Sequence, residues 1–393
     1  MNQDTTSQSY FLRDRITWLA ILIVACFVSV LMLSSQSRAS YPTYILAVLM
    51  LVTAPAWKDV WNLRMTAWFL ALFAWLGSSV FWSEQFELRE AVSVWSRALL
   101  TFFFVVAFAE CQLRGQLQKW MGIALTAVGS VAVAAAVVNF YLTDPADGRL
   151  NGLGQLDTHV VAALVYGAVM LFVMRTLWQS SGLLARGVLL AVLILIAFAV
   201  MLSDSRNAWV SVSIGVLVFV LACLCRDKLQ FAATLVALSV LFGVVLMALG
   251  LGESTQELVF PRGDSFRVTI WTTTLERITE DSVLFGRGIL TNDDVTAGGI
   301  TFPHPHNMYL AVLHQGGLVA LFLYGGLLIQ VLRVLMENFE SLDAKLALSI
   351  LLMALGSHLL DGHELIDKVG DTWLLIWLPV GVAMGFQLKP GGR

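Results

Sequence analysis

The chain has 393 residues, of which 58% are hydrophobic and only 13% charged, with a net charge of −3. A soluble domain is nearer half apolar and about a quarter charged, so lipid is the solvent for most of this chain. The near-neutral balance, without any basic run, excludes nucleic acid as a partner.

A hydrocarbon core of ~30 Å needs about 20 apolar residues per helix. Arg13 and Arg15 precede an apolar stretch, 16–33, with no small-residue cleavage pattern after it, so it reads as a membrane helix and not a cleaved signal. Further spans follow at 41–56, 65–82, 92–109, 120–142, 159–178, 186–203, 207–224 and 229–251. After a polar segment, 252–307, come 308–334, 343–361 and 372–388. The expectation is an all-α integral membrane protein: about twelve transmembrane helices in one polytopic domain over residues 1–393, with one large, partly helical outside loop between the ninth and tenth.

Charge orients these spans. With the N-terminus inside, the inside segments carry Arg13 and Arg15, Lys58 and Arg64, Arg114 and Lys119, Arg175 and Arg186, Arg226 and Lys228, Arg333 and Lys345, and Lys389 and Arg393. The short outside loops carry about one each: Arg38, Arg89, Arg149, Arg206 and Lys368. This is the positive-inside pattern, and it places both termini in the cytoplasm. The 252–307 loop carries Arg262, Arg267, Arg277 and Arg287, but long loops translocate regardless of charge. Of the cysteines, Cys26 lies within a span and Cys111, Cys223 and Cys225 near inner span ends, so no structural disulfide is expected.

Three polar groups fall on the expected outer face. Ser203-Asp-Ser-Arg206-Asn207-Ala-Trp209 is the short turn between spans seven and eight; Arg206 there either pairs with Asp204, snorkels to headgroups, or clamps an anion. In the loop, Pro261-Arg-Gly reads as a turn, Asp264 and Ser265 as helix caps, and 266–278 as an amphipathic helix with Trp271 at headgroup level. Arg267 is its candidate phosphate ligand, with Arg262 and Arg287 as rivals, and Phe285-Gly-Arg-Gly288 is a turn. His304-Pro-His306-Asn307 precedes span ten; helical spacing from His306 reaches Tyr309 and His314 on one face. A neutral imidazole there suits proton abstraction. His304 and His306 with Asp293 and Asp294 lack regular ligand spacing, so no metal is expected; His363 and Glu364 have at most a supporting role.

Ser205-Arg-Asn-Ala-Trp209 at a span start, Arg267 ahead of Trp271, Leu284-Phe-Gly-Arg-Gly288 and His304-Pro-His-Asn-Met-Tyr-Leu310 resemble, in order, the landmarks of the O-antigen ligase and polymerase superfamily. The tail Trp373-Leu-Leu-Ile-Trp377-Leu-Pro379 is similar to the ligase branch. Arg287 departs from the family pattern, which often has an apolar residue there. The resemblance implies an inverting, cofactor-free and metal-independent glycosyltransferase of lipopolysaccharide biosynthesis at the periplasmic face of the bacterial inner membrane. Its donor would be O-antigen on undecaprenyl pyrophosphate and its acceptor a sugar hydroxyl of lipid A-core. Arg206 and Arg267 would hold the pyrophosphate and His306 would act as general base, with His304, Arg287, Asn307 and Tyr309 as further substrate contacts. A polymerase of the same superfamily is the nearest rival. A metal-dependent oligosaccharyltransferase would want paired acids in the first outside loop, where this chain has Arg38 and no acid. A flippase or transporter would want charges within spans, where Arg97 is the main candidate, and matched Gly or Pro interruptions in two halves, which are absent.

Overall fold

The computed structural model describes residues 3–34, 36–52, 57–61, 63–248, 266–281, 283–362 and 364–388. The Pro261 turn, Arg262, the Asp264–Ser265 cap and His363 lie outside them.

Helices occupy all twelve expected segments. They are α1 (Gln3–Met32), α2 (Tyr41–Val52), α3 (Arg64–Ser78), α4 (Leu88–Leu113), α5 (Gly122–Thr143), α6 (His159–Gln179), α7 (Leu183–Leu202), α8 (Arg206–Leu224) and α9 (Lys228–Ala248). After the loop helix α10 (Arg267–Asp281) come α11 (Met308–Glu337), α12 (Leu342–Ser357) and α13 (Leu378–Gln387), the last preceded by a π-turn at Trp373–Trp377. Eight of these helices are long and apolar enough to cross a membrane. Among the others, α2 has 12 residues and α12 has 16, short of the ~20 of one full crossing. The protein is therefore an integral membrane protein, mostly helical.

Apolar residues on nearly every helix merge into one core, from Leu19 and Ile23 on α1 to Trp373 and Trp377 near the end. Helix α8 packs along α12, α13 along α4, and α3 along α11.

Two buried ion pairs tie helix ends together. Arg175 at the end of α6 donates from Nε and an Nη to Asp343 at the start of α12, at 2.8 and 2.5 Å; their side chains are 2% and 1% exposed. Gln112 near the end of α4 donates to the other Asp343 oxygen at 3.1 Å. Arg15 on α1 meets Glu110 on α4 at 2.5 Å. Charges buried this deeply are held by their partners, and removing one partner would strand the other. Arg15 and Arg175, counted above as inside charges, thus double as packing elements.

Beside the helix α10, the loop holds two short strands, which the all-α expectation did not include. It contains a hairpin, β1 (Val295–Ala297) against β2 (Ile300–Phe302), with Ala297 opposite Ile300. Gly298 and Gly299 turn it with φ of 59° and 79°, the double positive φ of a type I′ turn that side chains resist. Part of the apolar face of α10 packs onto this hairpin, while Val268 and Leu275 remain exposed. Ile270 packs with Val295 and Ala297 in a small second core, flanked by Trp271 and Phe302. Arg277 secures the pair by donating to the Asp294 carbonyl at 2.8 Å.

Candidate functional site

The helical spacing expected from His306 is corrected. Helix α11 starts at Met308, with Asn307 as its N-cap: Asn307 Oδ1 accepts from the N–H groups of Tyr309 and Leu310 at 3.0 and 3.1 Å. His306 lies before the cap in left-handed backbone, φ 49°, so it does not share a helix face with His314. His314 is buried two turns into α11.

Farther along, α11 is broken. Gly317 has φ 68° and ψ −167°, and the Phe285–Gly288 turn fills the break. Arg287 and Gly288 donate their N–H groups to the carbonyls of His314 and Gln315 at 2.7 and 3.0 Å. Leu318 donates to the Val283 carbonyl at 2.8 Å, and the Trp75 indole to the Gly316 carbonyl at 2.8 Å. Backbone groups freed at a helix break near lipid must be satisfied within the protein, and this turn does it. The side chain of Arg287 pairs with Glu84, past the end of α3, while its N–H is held at His314, roughly 9 Å along α11 from Met308 at 1.5 Å per residue.

The short segment 357–361, just past α12, joins the motifs. The span expected at 343–361 ends early, at Ser357, and frees these residues as a turn. Asn207 of α8 donates to Ser357 Oγ at 3.0 Å. The N–H of Met308 donates to the His358 carbonyl at 3.0 Å, and Asn307 Nδ2 to the Leu359 carbonyl at 3.0 Å. Arg267 Nε donates to the Leu360 carbonyl at 3.3 Å. His306 Nδ1 lies 3.1 Å from Asp361 Oδ1. Tyr309 anchors one turn earlier, its hydroxyl donating to the Leu355 carbonyl at 2.9 Å. Trp271 closes the other side by donating to the Pro305 carbonyl at 3.1 Å.

Asp361 is the residue that sequence reasoning missed. Burial would push its carboxyl up. The hydrogen bond from His306, the N–H of Gly362 and the nearby imidazoles outweigh burial and hold it below the usual carboxylate range. An ionised Asp361 fixes the His306 proton on Nδ1 and leaves Nε2 as the acceptor. The signal available in sequence was the polar run Ser357-His-Leu-Leu-Asp-Gly362 closing an apolar span.

His304 and His306 stand at a cavity of about 640 Å³, with Asp361, His358, His159 and Arg97 in its wall. The two ring centroids lie 4.1 Å apart with the planes tilted by 55°, and His304 Nδ1 accepts the N–H of His306 at 3.2 Å. Arg206, exposed at the first turn of α8, and Arg267, half-buried at the start of α10, flank the 357–361 segment outside the cavity wall. Arg287, Asn307 and Tyr309 have the anchoring contacts described above. His304, His306 and Asp361 each offer a ligand atom within 4.8 Å of one another, a spacing that suits a metal ion in size. Asp294, weighed above as a ligand, instead accepts from Asn292, and Glu364 lies 3.8 Å from Arg97.

Residues 191–325 match a protein family described as O-antigen ligase, a range that includes Arg206, Arg267 and His306 but stops short of Asp361. The chain is 29% identical over 293 residues to an O-antigen ligase of Pseudomonas aeruginosa, which covers 74% of this chain and 69% of that one. Both matches bear out the resemblance that the motifs carry, and they support reading this membrane protein as an enzyme related to the O-antigen ligases.

Proposed function

We propose that this protein joins O-antigen polysaccharide from undecaprenyl pyrophosphate to a sugar hydroxyl of lipid A-core at the periplasmic face of the inner membrane. The observation that carries the reading is the His306–Asp361 pair at the mouth of a polar cavity, with Arg267 bound to the neighbouring carbonyl. The acceptor hydroxyl attacks the anomeric carbon of the donor, and its proton passes to His306 Nε2. The bond from that carbon to the pyrophosphate oxygen breaks, and undecaprenyl pyrophosphate leaves with the electron pair. A single displacement inverts the anomeric centre. Arg206 and Arg267 meet the charge that develops on the leaving group, since a guanidinium fork matches phosphate oxygens. His304 buttresses the His306 backbone and is the reserve base. Twelve crossings with both termini in the cytoplasm would place this chemistry outside.

The ligand-sized triangle of His304, His306 and Asp361 favours one rival, a metal-assisted reaction. The direct His306–Asp361 contact favours the metal-free dyad. Both are tested in ligation assays with purified lipid-linked donor and lipid A-core. His306→Ala is expected to lower the rate by roughly 10²–10⁴-fold, the usual worth of a general base, and excess chelator to leave it unchanged. Full ligation by His306→Ala removes the base assignment, and loss in chelator restores the metal reading. A deletion strain that strands polymer on its lipid carrier fits a ligase; core capped with one repeat fits a polymerase.

A further inference from the structure

The charge lining the 640 Å³ cavity does not suit pyrophosphate. Asp157, Asp361, Glu364, Asp367 and Asp371 line it, against two permanent cations, Arg97 and Lys368. A pyrophosphate placed there would face more negative than positive charge in a partly desolvated space, where such repulsion is poorly screened. The arginines suited to phosphate, Arg206 and Arg267, lie outside its wall.

A second observation points to what the cavity takes. His358 is 4% exposed, it is among the residues that line the cavity, and its buried Nδ1 has no hydrogen-bond partner among the described residues. Burial pushes its pKa down to about 4, so at neutral pH the ring is uncharged. The unpartnered Nδ1 is an unsatisfied polar atom beside the cavity, and such atoms call for a partner. Across the cavity stands His159, whose Nε2 lies 3.2 Å from an Arg149 amino group. Carboxylates accept strong hydrogen bonds from hydroxyls, and a neutral imidazole can donate or accept. The volume lies within the range usual for small-ligand sites. An uncharged polyol meets all of these groups, and a phosphate meets few.

We propose that this cavity is the acceptor-sugar subsite, built to take an unphosphorylated, hydroxyl-rich terminal saccharide, with Asp157, Asp367 and His358 as hydroxyl-binding groups. It rests on the transfer reading above, and it deepens that reading by dividing the site. The donor pyrophosphate lies on the arginine side of the 357–361 segment, the acceptor sugar lies on the carboxylate side, and His306 stands between them.

The test uses the full-length protein in detergent and two readouts. The first is calorimetric binding of lipid-free core oligosaccharide, obtained by deacylating lipid A-core. The second is the KM for each lipid substrate in the ligation assay. Asp157→Asn, Asp367→Asn and His358→Gln keep side-chain size, and size-exclusion profiles confirm folding. Each is expected to weaken oligosaccharide binding and raise acceptor KM about tenfold, the cost of one lost hydrogen bond to a charged or buried group, with donor KM within twofold. Arg267→Ala should do the reverse. A rise in donor KM in the carboxylate variants, or unchanged oligosaccharide binding in all three, overturns the proposal. Oligosaccharide binding that follows these residues without any ligation by the wild type leaves the subsite standing and removes the transfer reading.

Discussion

His306 holds a backbone conformation that side chains adopt at a cost of order 1–3 kcal/mol. Its surroundings impose it. Asp361 takes the ring, His304 takes the N–H, Trp271 holds the preceding carbonyl, and Asn307 begins the helix that follows. The strained turn aims one imidazole between a carboxylate and a cavity, which is the arrangement of an oriented base. Asp361→Asn keeps the shape and removes the charge that fixes the tautomer. Ligation should fall by at least about tenfold with little change in either KM. The stability contribution has a definite sign. The folded Asp361 pKa is depressed, so its contribution is present at neutral pH and is lost only as pH falls below the ordinary carboxylate range. The melting difference between wild type and Asp361→Asn should therefore be present at neutral pH and close in strong acid. A difference that closed well above the carboxylate range would contradict the assignment.

At the scale of elements, the broken α11 and the Phe285–Gly288 turn form one unit. A Cβ on Gly286 would meet the Gly317 nitrogen at 2.5 Å, and both glycines have positive φ. No rotamer change relieves a clash with backbone. Gly286→Ala should cost about 2 kcal/mol or more and lower the melting temperature in detergent, whereas alanine at Gly187, where a Cβ meets nothing within 4 Å, should be neutral. Equal melting of the two variants would mean that the turn does not brace the break. The turn itself was legible from two glycines around Phe285 and Arg287. Its seat was not, because the break is satisfied by residues some thirty positions away, which no local spacing encodes.

At the scale of the whole molecule, polar contacts gather at two opposite ends. The starts of α8 and α11 meet the end of α12 through Asn207, Asn307, Met308 and the 357–361 segment. Near the other end, the middle of α1 and the start of α12 meet the last turns of α4 and α6 through Arg15–Glu110 and Arg175–Asp343. Successive helices that alternate direction place these groups together in this way, and in the proposed topology the second end is the cytoplasmic one. Single cysteines in a cysteine-free background give the check. Thr296→Cys in the hairpin should react with a membrane-impermeant maleimide added to intact spheroplasts, and Asp227→Cys, between α8 and α9, only after lysis. The opposite pattern would invert the proposed topology.

The sequence by itself determined the membrane solvent, the helical segments, the order of the motifs and the histidine just ahead of α11. Apolar length, basic bias and short strings of residues are local, and local signals survive in one dimension. The tertiary structure alone decided which groups meet. It paired His306 with Asp361, 55 positions on, brought Arg287 to Glu84 and the Trp271 indole to the Pro305 carbonyl, and gathered the motifs on residues 357–361. The contacts with residues 357–361 arise where α12 stops, at Ser357, and no local signal places Asn207 of α8 beside a residue 150 positions on.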